Sequence, residues 1–499
     1  KSIFIFSGMG GSINTIKALI KLLGRQSEFR LYTIDSLDPL ATEELLSDID
    51  DLSKVLVIGI SKSGTTQETQ DLLLTLKEAF QSQNLDYRNH FLWLTDLPKG
   101  KERIENAGWQ DVEILPIQVD QKTDIGGRFS SPHTSIFLIP LLLLLNKDLY
   151  ELERIWNDYL ILRVVLSLEA ARQAYELSRR KTSYFAVQLE EELSQALETW
   201  VIQLFQESLG SKIEGFNPKT VVISSPEALP LGFRPLSFAI PSQEDPIVKV
   251  MLYMYLLEVF VASFAYYKNI NFVTQPQVDR YKQKMKELSD QQILQAEKVN
   301  IDELIQRIKV LLQDRPKVRF IEVVCYWYLT ETERRFIKEA LKIFLPEQEI
   351  LIFEGSDWNH HSYQAATQNQ DTLFIILTRS QYLEDIEGIS PETLRKNIST
   401  LRTIAYATYL TLEEKAKYFE YEYRVATPDI KFGTSGWRWD EYSDYTYQDE
   451  FKNPWFLNDF YAVLLALADL IRIQEKDNPG RKGVIIAGDT RAVGPYTNL

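Results

Sequence analysis

Apolar runs alternate with amphipathic segments along the first 150 residues. Runs of four to six residues, such as Ile3–Phe6 and Val55–Ile60, are typical of buried strands, whereas helical patterns cover about residues 12–23 and begin again at Gln67. Strands separated by helices predict a parallel sheet with helices on both faces and ligands at the carboxyl ends of the strands. We therefore expect an α/β domain over residues 1–150. Its other predicted strands are Leu31–Ile34, Phe91–Thr95 and Val112–Ile117.

Four further segments are expected after this domain. Helical periodicity dominates residues 151–215 and returns in the apolar run Pro246–Tyr267, with a short strand predicted at Thr220–Ile223 between them. We expect a helical region with a second domain, a small α/β module after a polar linker, a helical connector and a separate C-terminal part. The expected boundaries of these four segments are 151–290, 300–385, 386–428 and 429–499.

Size and charge limit the classes of partner. The chain has 499 residues, of which 45% are hydrophobic, enough for about three packed domains. Its net charge of −15 argues against nucleic acid or an anionic membrane as the main partner, because both require clustered lysine and arginine. A phosphorylated ligand would need positive groups placed locally.

Cysteine and histidine are scarce. Cys325 is the one cysteine in the sequence, which excludes an internal disulfide, and four histidines leave little room for a metal centre. We expect no metal and a cytoplasmic location. The longest apolar run, Ile136–Leu145, is roughly half the length of a membrane span. The chain opens at Lys1 directly into a predicted strand, and the pattern of a signal peptide is not expected there. We expect that both ends were cut from something longer.

A loop rich in hydroxyl groups follows the strand Val55–Ile60. It contains Ser61, Ser63, Thr65 and Thr66 and leads into the helix that begins at Gln67. The free N–H groups and positive dipole of a helix N-terminus, together with these hydroxyls, suit a phosphate monoester. The alternative is an ordinary loop that caps its helix.

Two glycine-rich stretches each lie next to a predicted secondary-structure element. Ser7-Gly-Met-Gly-Gly-Ser follows the first strand, where Gly10 and Gly11 would let the backbone approach a ligand, but the spacing differs from the G-x-G-x-x-G of dinucleotide folds. In Asp124-Ile-Gly-Gly-Arg-Phe-Ser, Arg128 could offer its guanidinium to a phosphate or an enediolate. A surface arginine in a turn is the alternative.

In their order along the chain, these three stretches resemble the sugar-isomerase (SIS) domain of the phosphoglucose isomerase family. The resemblance implies conversion of glucose 6-phosphate to fructose 6-phosphate through an enediolate, as in glycolysis and gluconeogenesis, without a cofactor. It also implies a homodimer with the active site at the subunit interface. Arg128 would stabilise the enediolate, and the remaining residues would bind the substrate phosphate: Gly10, Gly11, Ser61, Ser63, Thr65 and Thr66.

Two later segments extend the resemblance. Trp200–Gly210 resembles the family helix W-x-x-Q-L-x-x-E-S-x-G-K, although an ordinary amphipathic helix would also place Gln203 and Glu207 on one face. Asn269–Lys282 resembles N-I-N-P-F-D-Q-P-G-V-E-x-Y-K, which implies that Lys282 contacts the ring oxygen and hydroxyls of the sugar. A solvated helix lysine is the alternative.

A histidine pair lies in the small module. The stretch from Trp358 to Gln364 resembles the H-S-T-G-Q region of isomerases fused to transaldolase. Either His360 or His361 could be the acid that opens the sugar ring. A pair of surface histidines is the alternative, and two adjacent histidines alone make no metal site.

The resemblance fails where we expect the catalytic base. Family members carry Gly-Glu-Pro after a short strand, but here the chain has Ile223-Ser-Ser-Pro-Glu, with Ser225 before the proline. Glu227 follows two residues later, a shift of about 6–7 Å in an extended chain. Two hypotheses remain: an isomerase whose base is Glu227 or a group of a partner subunit, or an inactive sugar-phosphate-binding module that regulates the C-terminal part.

The C-terminal part resembles a second family. Ile430–Arg438 resembles the F-G-T-S-G-x-R-G opening of the phosphohexomutases, and Gly488-Asp-Thr-Arg resembles their G-x-D-T-R. The resemblance implies that Ser435, Arg438 and Arg491 face a phosphate. It implies Mg²⁺ only for a complete mutase domain, whose metal ligands do not occur in this sequence. We therefore expect a fusion of an isomerase with the start of a phosphoglucomutase or phosphomannomutase.

Overall fold

The protein is described here from a computed structural model. The described residues are 1–24, 27–123, 127–129, 131–180, 184–210, 216, 218–241, 244–288 and 296–422, together with the backbone of two short strands after them. Within these ranges the fold is mixed α/β with three parallel sheets. This confirms the predicted fold class.

The first sheet has five parallel strands in the order β2-β1-β3-β4-β5. Alternate residues of β1 and β3 point to opposite faces, so Phe4 and Ile58 join one hydrophobic core while Ile5 and Val57 join another. Helices α1 and α5 cover the first face and α3 the second. The strands are β1 (Ile3–Gly8), β2 (Arg30–Ile34), β3 (Val55–Ile60), β4 (Phe91–Thr95) and β5 (Glu113–Pro116). The helices are α1 (Asn14–Leu23), α2 (Pro39–Ser47), α3 (Gln67–Ser82), α4 (Lys99–Asn106) and α5 (Ser135–Leu144).

Long helices and a small parallel sheet follow. The sheet has the order β7-β6-β8, with β6 (Phe185–Gln188), β7 (Thr220–Ile223) and β8 (Arg234–Leu236). Strand β6 lies inside the segment predicted as helical, because four apolar residues between two long helices give too short a signal to interrupt the helical period. The helices are α6 (Leu149–Ser178), α7 (Glu191–Leu209), α8 (Pro246–Lys268) and α9 (Pro276–Glu287).

By length and composition alone, α8 could cross a membrane. However, 72% of its most apolar stretch is buried inside the protein, where Met251, Leu257 and Phe260 are fully enclosed. Helix α8 therefore has the environment of a core helix.

The third sheet is parallel and has the order β11-β10-β12-β13-β9. Two of its strands, β9 and β13, lie outside the segment 300–385 that was expected to form the module. Strand β9 precedes this segment, and β13 lies in the expected helical connector. The strands are β9 (Glu297–Val299), β10 (Phe320–Tyr326), β11 (Glu349–Glu354), β12 (Thr372–Arg379) and β13 (Ala416–Tyr421). The helices are α10 (Ile301–Gln313), α11 (Glu331–Phe344), α12 (Gly355–His361), α13 (Tyr363–Ala366) and α14 (Pro391–Leu412).

Beyond residue 422, two backbone segments are described. Strand β14 (Lys431–Gly433) pairs with β15 (Gly436–Arg438) in an antiparallel hairpin. Ser435 and Arg491 lie outside the described residues, as does the side chain of Arg438. The mutase interpretation of residues 429–499 stays a prediction.

Candidate active site

The hydroxyl-rich loop lies between β3 and α3, as the sequence predicts. Ser61 Oγ is 3.0 Å from Thr66 Oγ1, and Ser63 Oγ is 2.8 Å from Thr65 Oγ1. Gly64 has a φ of +70°, a conformation that disfavours other residues. Thr66 is the N-cap residue of α3, but its side chain makes no capping hydrogen bond. This observation argues against the interpretation of the loop as a simple helix cap.

In the first turn of α3, Glu68 meets a histidine from the domain of the third sheet. Its Oε1 lies 3.1 Å from His360 Nε2, and both side chains are largely buried. Burial alone acts to raise the pKa of Glu68, but the hydrogen bond and charge of His360 outweigh it, so the pKa lies below its usual value. The pair joins residues 292 positions apart.

Arg128 is the centre of a second buried group. It is 2% exposed, its Nε donates to Ser208 Oγ at 2.6 Å, and its Nη2 donates to the Phe272 carbonyl. Its Nη1 lies 3.4 Å from Glu207 Oε1. Helix α7 thus presents Glu207 and Ser208 to the guanidinium, and the arginine is not the surface residue of the alternative interpretation.

Glu207 has three polar neighbours. Besides Arg128, Gln203 Nε2 donates to its Oε2 at 2.9 Å and Gln275 Nε2 donates to its Oε1. Burial raises the pKa of Glu207 above its usual value, although the charge of Arg128 and the hydrogen bond from Gln203 act in the opposite direction. A carboxyl group whose pKa moves towards neutrality is suited to accept and return a proton.

Gln203 connects the two groups. Its Nε2 also donates to the main-chain oxygen of His360 at 3.1 Å, and its Oε1 accepts from Asn14 at 2.9 Å. Lys282 on α9 is exposed, and its charge acts on both Glu68 and Glu207. The structure therefore brings Lys282, His360 and Arg128 around the two glutamates.

Gly10 and Gly11 make this arrangement possible. A Cβ on Gly10 would lie 2.8 Å from Gln203 Nε2 and 2.8 Å from His360 Cβ, and the φ of Gly10 is +52°. A Cβ on Gly11 would lie 2.6 Å from the Arg128 main-chain nitrogen. In this structure the two glycines allow Gln203 of α7, His360 and the Arg128 segment to pack closely against the turn that follows β1.

Tyr281 lies beside the cluster with an unsatisfied hydroxyl. It is 1% exposed, and its Oη has no hydrogen-bond partner among the described residues. Burial and then the charge of Glu68 raise its pKa well above the usual value, so the hydroxyl stays neutral. Its ring packs edge-on against Tyr363, with centroids 5.0 Å apart.

His361 and Glu227 point elsewhere. His361 Nδ1 is 2.6 Å from Ser362 Oγ, and its ring lines a separate cavity of about 1080 Å³ together with Gln206 and Lys219. Burial lowers the pKa of His361. Glu227 is exposed on the one-turn helix Pro226–Ala228, where its interactions are with its own backbone N–H and with Ser225.

Sequence reasoning missed Glu68 and assigned no role to Glu207. Glu68 lies in the stretch Thr66-Gln-Glu that directly follows the phosphate loop, and Glu207 lies in the helix motif with Gln203. A signal existed for both, since acidic side chains on otherwise buried helix faces are uncommon. Within the described ranges, no group of three or more His, Cys, Asp or Glu side chains is placed to hold a metal ion.

Comparison with known proteins gives a partial relationship. No family model matches the chain. The glucose-6-phosphate isomerase of Chlamydia abortus is 35% identical over 126 residues, which are 25% of this chain and 22% of that enzyme. The glucose-6-phosphate isomerase of Trichormus variabilis is 28% identical over 136 residues, 27% of this chain and 24% of the enzyme. About a quarter of the chain is thus homologous to glucose-6-phosphate isomerases, and it spans only about a quarter of the length of these relatives.

Solved structures give distant likenesses. A hypothetical protein from Thermus thermophilus has a TM-score of 0.44 at 22% identity, and the match covers 57% of this chain and 83% of that protein. A glucose-6-phosphate isomerase from Chlamydia trachomatis has a TM-score of 0.40 at 16% identity, and the match covers 63% of this chain and 71% of that enzyme.

Proposed function

We propose that this chain interconverts glucose 6-phosphate and fructose 6-phosphate, with Glu207 as the base. The observation that carries the proposal is the buried Glu207 carboxylate, 3.4 Å from Arg128 and connected through Gln203 to the Glu68–His360 pair. The partial homology to glucose-6-phosphate isomerases supports the same substrate class.

The central step is proton transfer between neighbouring carbons. Glu207 takes the proton from carbon 2 of the open-chain aldose, and the carbonyl at carbon 1 becomes the enediolate oxygen. Arg128 stabilises the developing negative charge, since a buried guanidinium interacts strongly with an oxyanion where water is excluded. The hydroxyl proton on the oxygen of carbon 2 then moves to the enediolate oxygen on carbon 1, Glu207 returns its proton to carbon 1, and the carbonyl forms at carbon 2. No external acceptor or donor is required.

Ring opening precedes this step. It needs a proton moved from the hydroxyl at carbon 1 to the ring oxygen, and His360 can carry it because its Nε2 is held by the Glu68 carboxylate. Glu68 keeps its charge because its pKa is lowered, while the pKa of Glu207 is raised. Two carboxylates with pKa values moved apart can take different roles at one pH. Lys282 contributes a positive charge near both.

Phosphate recognition is assigned to the loop from Ser61 to Thr66. Ser63 and Thr65 are exposed at the start of α3, and the Arg103 guanidinium donates to the Ser63 carbonyl at 3.1 Å. These hydroxyls, the helix N-terminus and the nearby arginine can bind a dianion. Gly10 and Gly11 would contribute indirectly, through the close packing described above.

The competing hypothesis is a binding module without catalysis. It was motivated by Ser225, where a glutamate was expected, and Glu227 is exposed and engaged with Ser225. Assigning the base to Glu207 removes the need for a carboxylate at either position. We therefore favour the enzyme.

Three further parts of the proposal rest on the sequence alone. The mutase-like motifs at Ile430–Arg438 and Gly488–Arg491 suggest a fusion in which both parts use a hexose phosphate. A homodimer is expected from the resemblance to the phosphoglucose isomerase family, and a cytoplasmic location is expected from the single cysteine, Cys325.

The test measures proton transfer and binding separately. Wild-type protein should convert fructose 6-phosphate to glucose 6-phosphate in an assay coupled to NADP⁺ reduction, and in ²H₂O it should exchange deuterium into carbon 2. We expect Glu207→Gln to lower both by about 10²–10⁴-fold, the usual contribution of a general base. Calorimetric binding of a hexose 6-phosphate analogue should persist in Glu207→Gln and weaken in Thr65→Val.

Glu227→Gln is the matched control. It makes the same chemical change at an exposed glutamate and should leave turnover within about twofold, because surface substitutions away from a site have small effects. Loss of activity in Glu227→Gln with normal activity in Glu207→Gln would overturn the assignment of the base. Binding without turnover in the wild type would favour the regulatory module.

A further inference from the structure

A large cavity lies between helices α7 and α11, apart from the candidate active site. Its volume is about 1080 Å³, and it also borders β7 and β11, which are edge strands of their sheets. Lys21 of α1 reaches the same cavity, so elements associated with all three sheets line it. Ligands are often bound in clefts between domains, and this volume is large enough for a ligand bigger than a hexose phosphate.

Basic side chains outnumber acidic ones in the lining of this cavity, although the chain as a whole has a net charge of −15. Four of the basic residues lie on α11, and their spacing places them on one face of that helix. An anionic ligand is therefore favoured. The four glutamates of the lining are Glu198, Glu322, Glu331 and Glu339. The six lysine and arginine residues are Lys21, Lys219, Arg334, Arg335, Lys338 and Lys342.

Three of these cations have hydrogen-bonding capacity that the protein does not use. Arg335 and Lys338 are exposed, and neither makes a hydrogen bond or an ion pair with any described residue. Lys219 is 1% exposed, and its ammonium group carries three N–H donors. Among the described residues, Glu322 is the one hydrogen-bond partner of Lys219 Nζ. Phosphate oxygens are suitable acceptors for the remaining donors.

Another part of the lining is apolar. Leu351, Ile352 and Phe353 are consecutive in β11, and all three border the cavity. The Phe353 ring lies edge-on to the ring of His361, which also lines the cavity, with centroids 5.4 Å apart. An apolar surface that includes an aromatic ring can pack against a planar base.

Glu198 on α7 is a carboxyl group inside this otherwise basic and apolar cavity. It makes no hydrogen bond or ion pair with the described part of the chain. Burial raises the pKa of Glu198, and the charges of Arg334, Lys338 and Lys21 act in the opposite direction. An acidic side chain at such a place can accept hydrogen bonds from ribose hydroxyls, as it does in dinucleotide-binding folds.

We propose that this cavity binds a nucleoside diphosphate, with its phosphates at Lys219 and the free cations of α11, its ribose hydroxyls at Glu198 and its base against β11. A nucleotide combines the three features that the lining favours: a polyanion, a diol and a planar ring system. An inorganic anion would leave the apolar part of the lining and Glu198 without a partner. The binding site does not depend on the proposed catalytic function.

The first experiment measures binding of ADP, UDP and pyrophosphate to the full chain by isothermal titration calorimetry. At least one of the two nucleotides should bind saturably, and more tightly than pyrophosphate. Lys338→Glu should weaken nucleotide binding by about tenfold or more, because it replaces a charge-assisted hydrogen bond with repulsion.

Lys286→Glu is the matched control for Lys338→Glu. It makes the same change at an exposed lysine of α9 outside the cavity and should alter nucleotide affinity by no more than about twofold. Circular dichroism checks that both variants are folded. Absence of binding of both nucleotides, tighter binding of pyrophosphate, or equal effects of the two variants would overturn the proposal.

The second experiment tests the ribose contact. The nucleotide that binds should bind the wild type more tightly than its 2′,3′-dideoxy form, because the dideoxy form lacks the hydroxyls that donate to Glu198. Glu198→Ala should remove this preference. An unchanged preference in folded Glu198→Ala would refute the assignment of the ribose to Glu198.

A competition experiment separates this cavity from the candidate active site. A saturating hexose 6-phosphate analogue should leave nucleotide affinity within about twofold, and so should Thr65→Val, because both act at the loop before α3. Displacement of the nucleotide by the analogue would place it in the active site and overturn the proposal. These measurements require no turnover, so they hold whether or not the chain isomerises sugar phosphates.

Discussion

The buried ion pair between Lys219 and Glu322 allows a quantitative test of the packing. Lys219 precedes β7 and Glu322 lies in β10, so the pair joins the small sheet to the third sheet. The side chains are 1% and 2% exposed. Lys219 Nζ donates to Glu322 Oε1, and Trp358 Nε1 donates to Oε2 at 3.0 Å.

We expect Lys219→Met to lower the free energy of unfolding by about 3–5 kcal/mol, because it leaves the Glu322 carboxylate buried without a counter-charge. Glu322→Gln should cost a similar amount for the converse reason. The double variant Lys219→Met/Glu322→Gln should cost clearly less than the two single changes together, since no charge remains buried and the new amide oxygen still accepts from Trp358.

Urea unfolding followed by tryptophan fluorescence and circular dichroism measures these differences. Coincident transitions with an unchanged urea dependence permit direct comparison of the free energies. Arg307→Met is the control, because its pair with Glu297 is 55% and 47% exposed and should contribute at most about 1 kcal/mol. The reasoning is refuted if Lys219→Met costs no more than this control, or if the costs of the two single changes simply add.

Three other predictions follow from the described residues. In the wild type, the apparent pKa on the acidic side of the pH profile of kcat/KM should lie above the usual glutamate value, because burial raises the pKa of Glu207. An apparent pKa at or below the usual value would contradict the role of Glu207 as the base. Tyr281→Phe should leave the unfolding midpoint unchanged or slightly higher, because the lost hydroxyl has no partner among the described residues, and a large decrease would indicate a missed hydrogen bond. Burial, with the charge of Asp35, raises the pKa of Glu354 from 4.5 to about 7, so the native state binds more protons and stability should fall as pH rises through that interval. Thermal melts at several pH values should show this slope, and Glu354→Gln should make it less steep.

The sequence predicted much of the local structure. Strand β3 and the start of α3 have their predicted bounds, because an apolar run that ends in hydroxyl residues and continues as an amphipathic helix is a local signal. The same local reasoning missed β6, because its four residues carry too little periodicity between long helices. It also extended a helical connector through β13, whose place in the sheet depends on pairing with β12.

For the candidate site, the sequence determined which residue types were available, and the tertiary structure decided which of them meet. The motifs singled out Arg128, Lys282 and a histidine pair. Only the fold distinguishes His360, which reaches Glu68, from His361, which faces another cavity. Likewise, chain position next to a proline suggested Glu227, whereas Glu207 is the glutamate enclosed by Arg128 and Gln275, residues 79 positions before and 68 after it. Burial and the identity of distant neighbours determine the pKa of a carboxyl group, and neither can be derived from spacing along the chain.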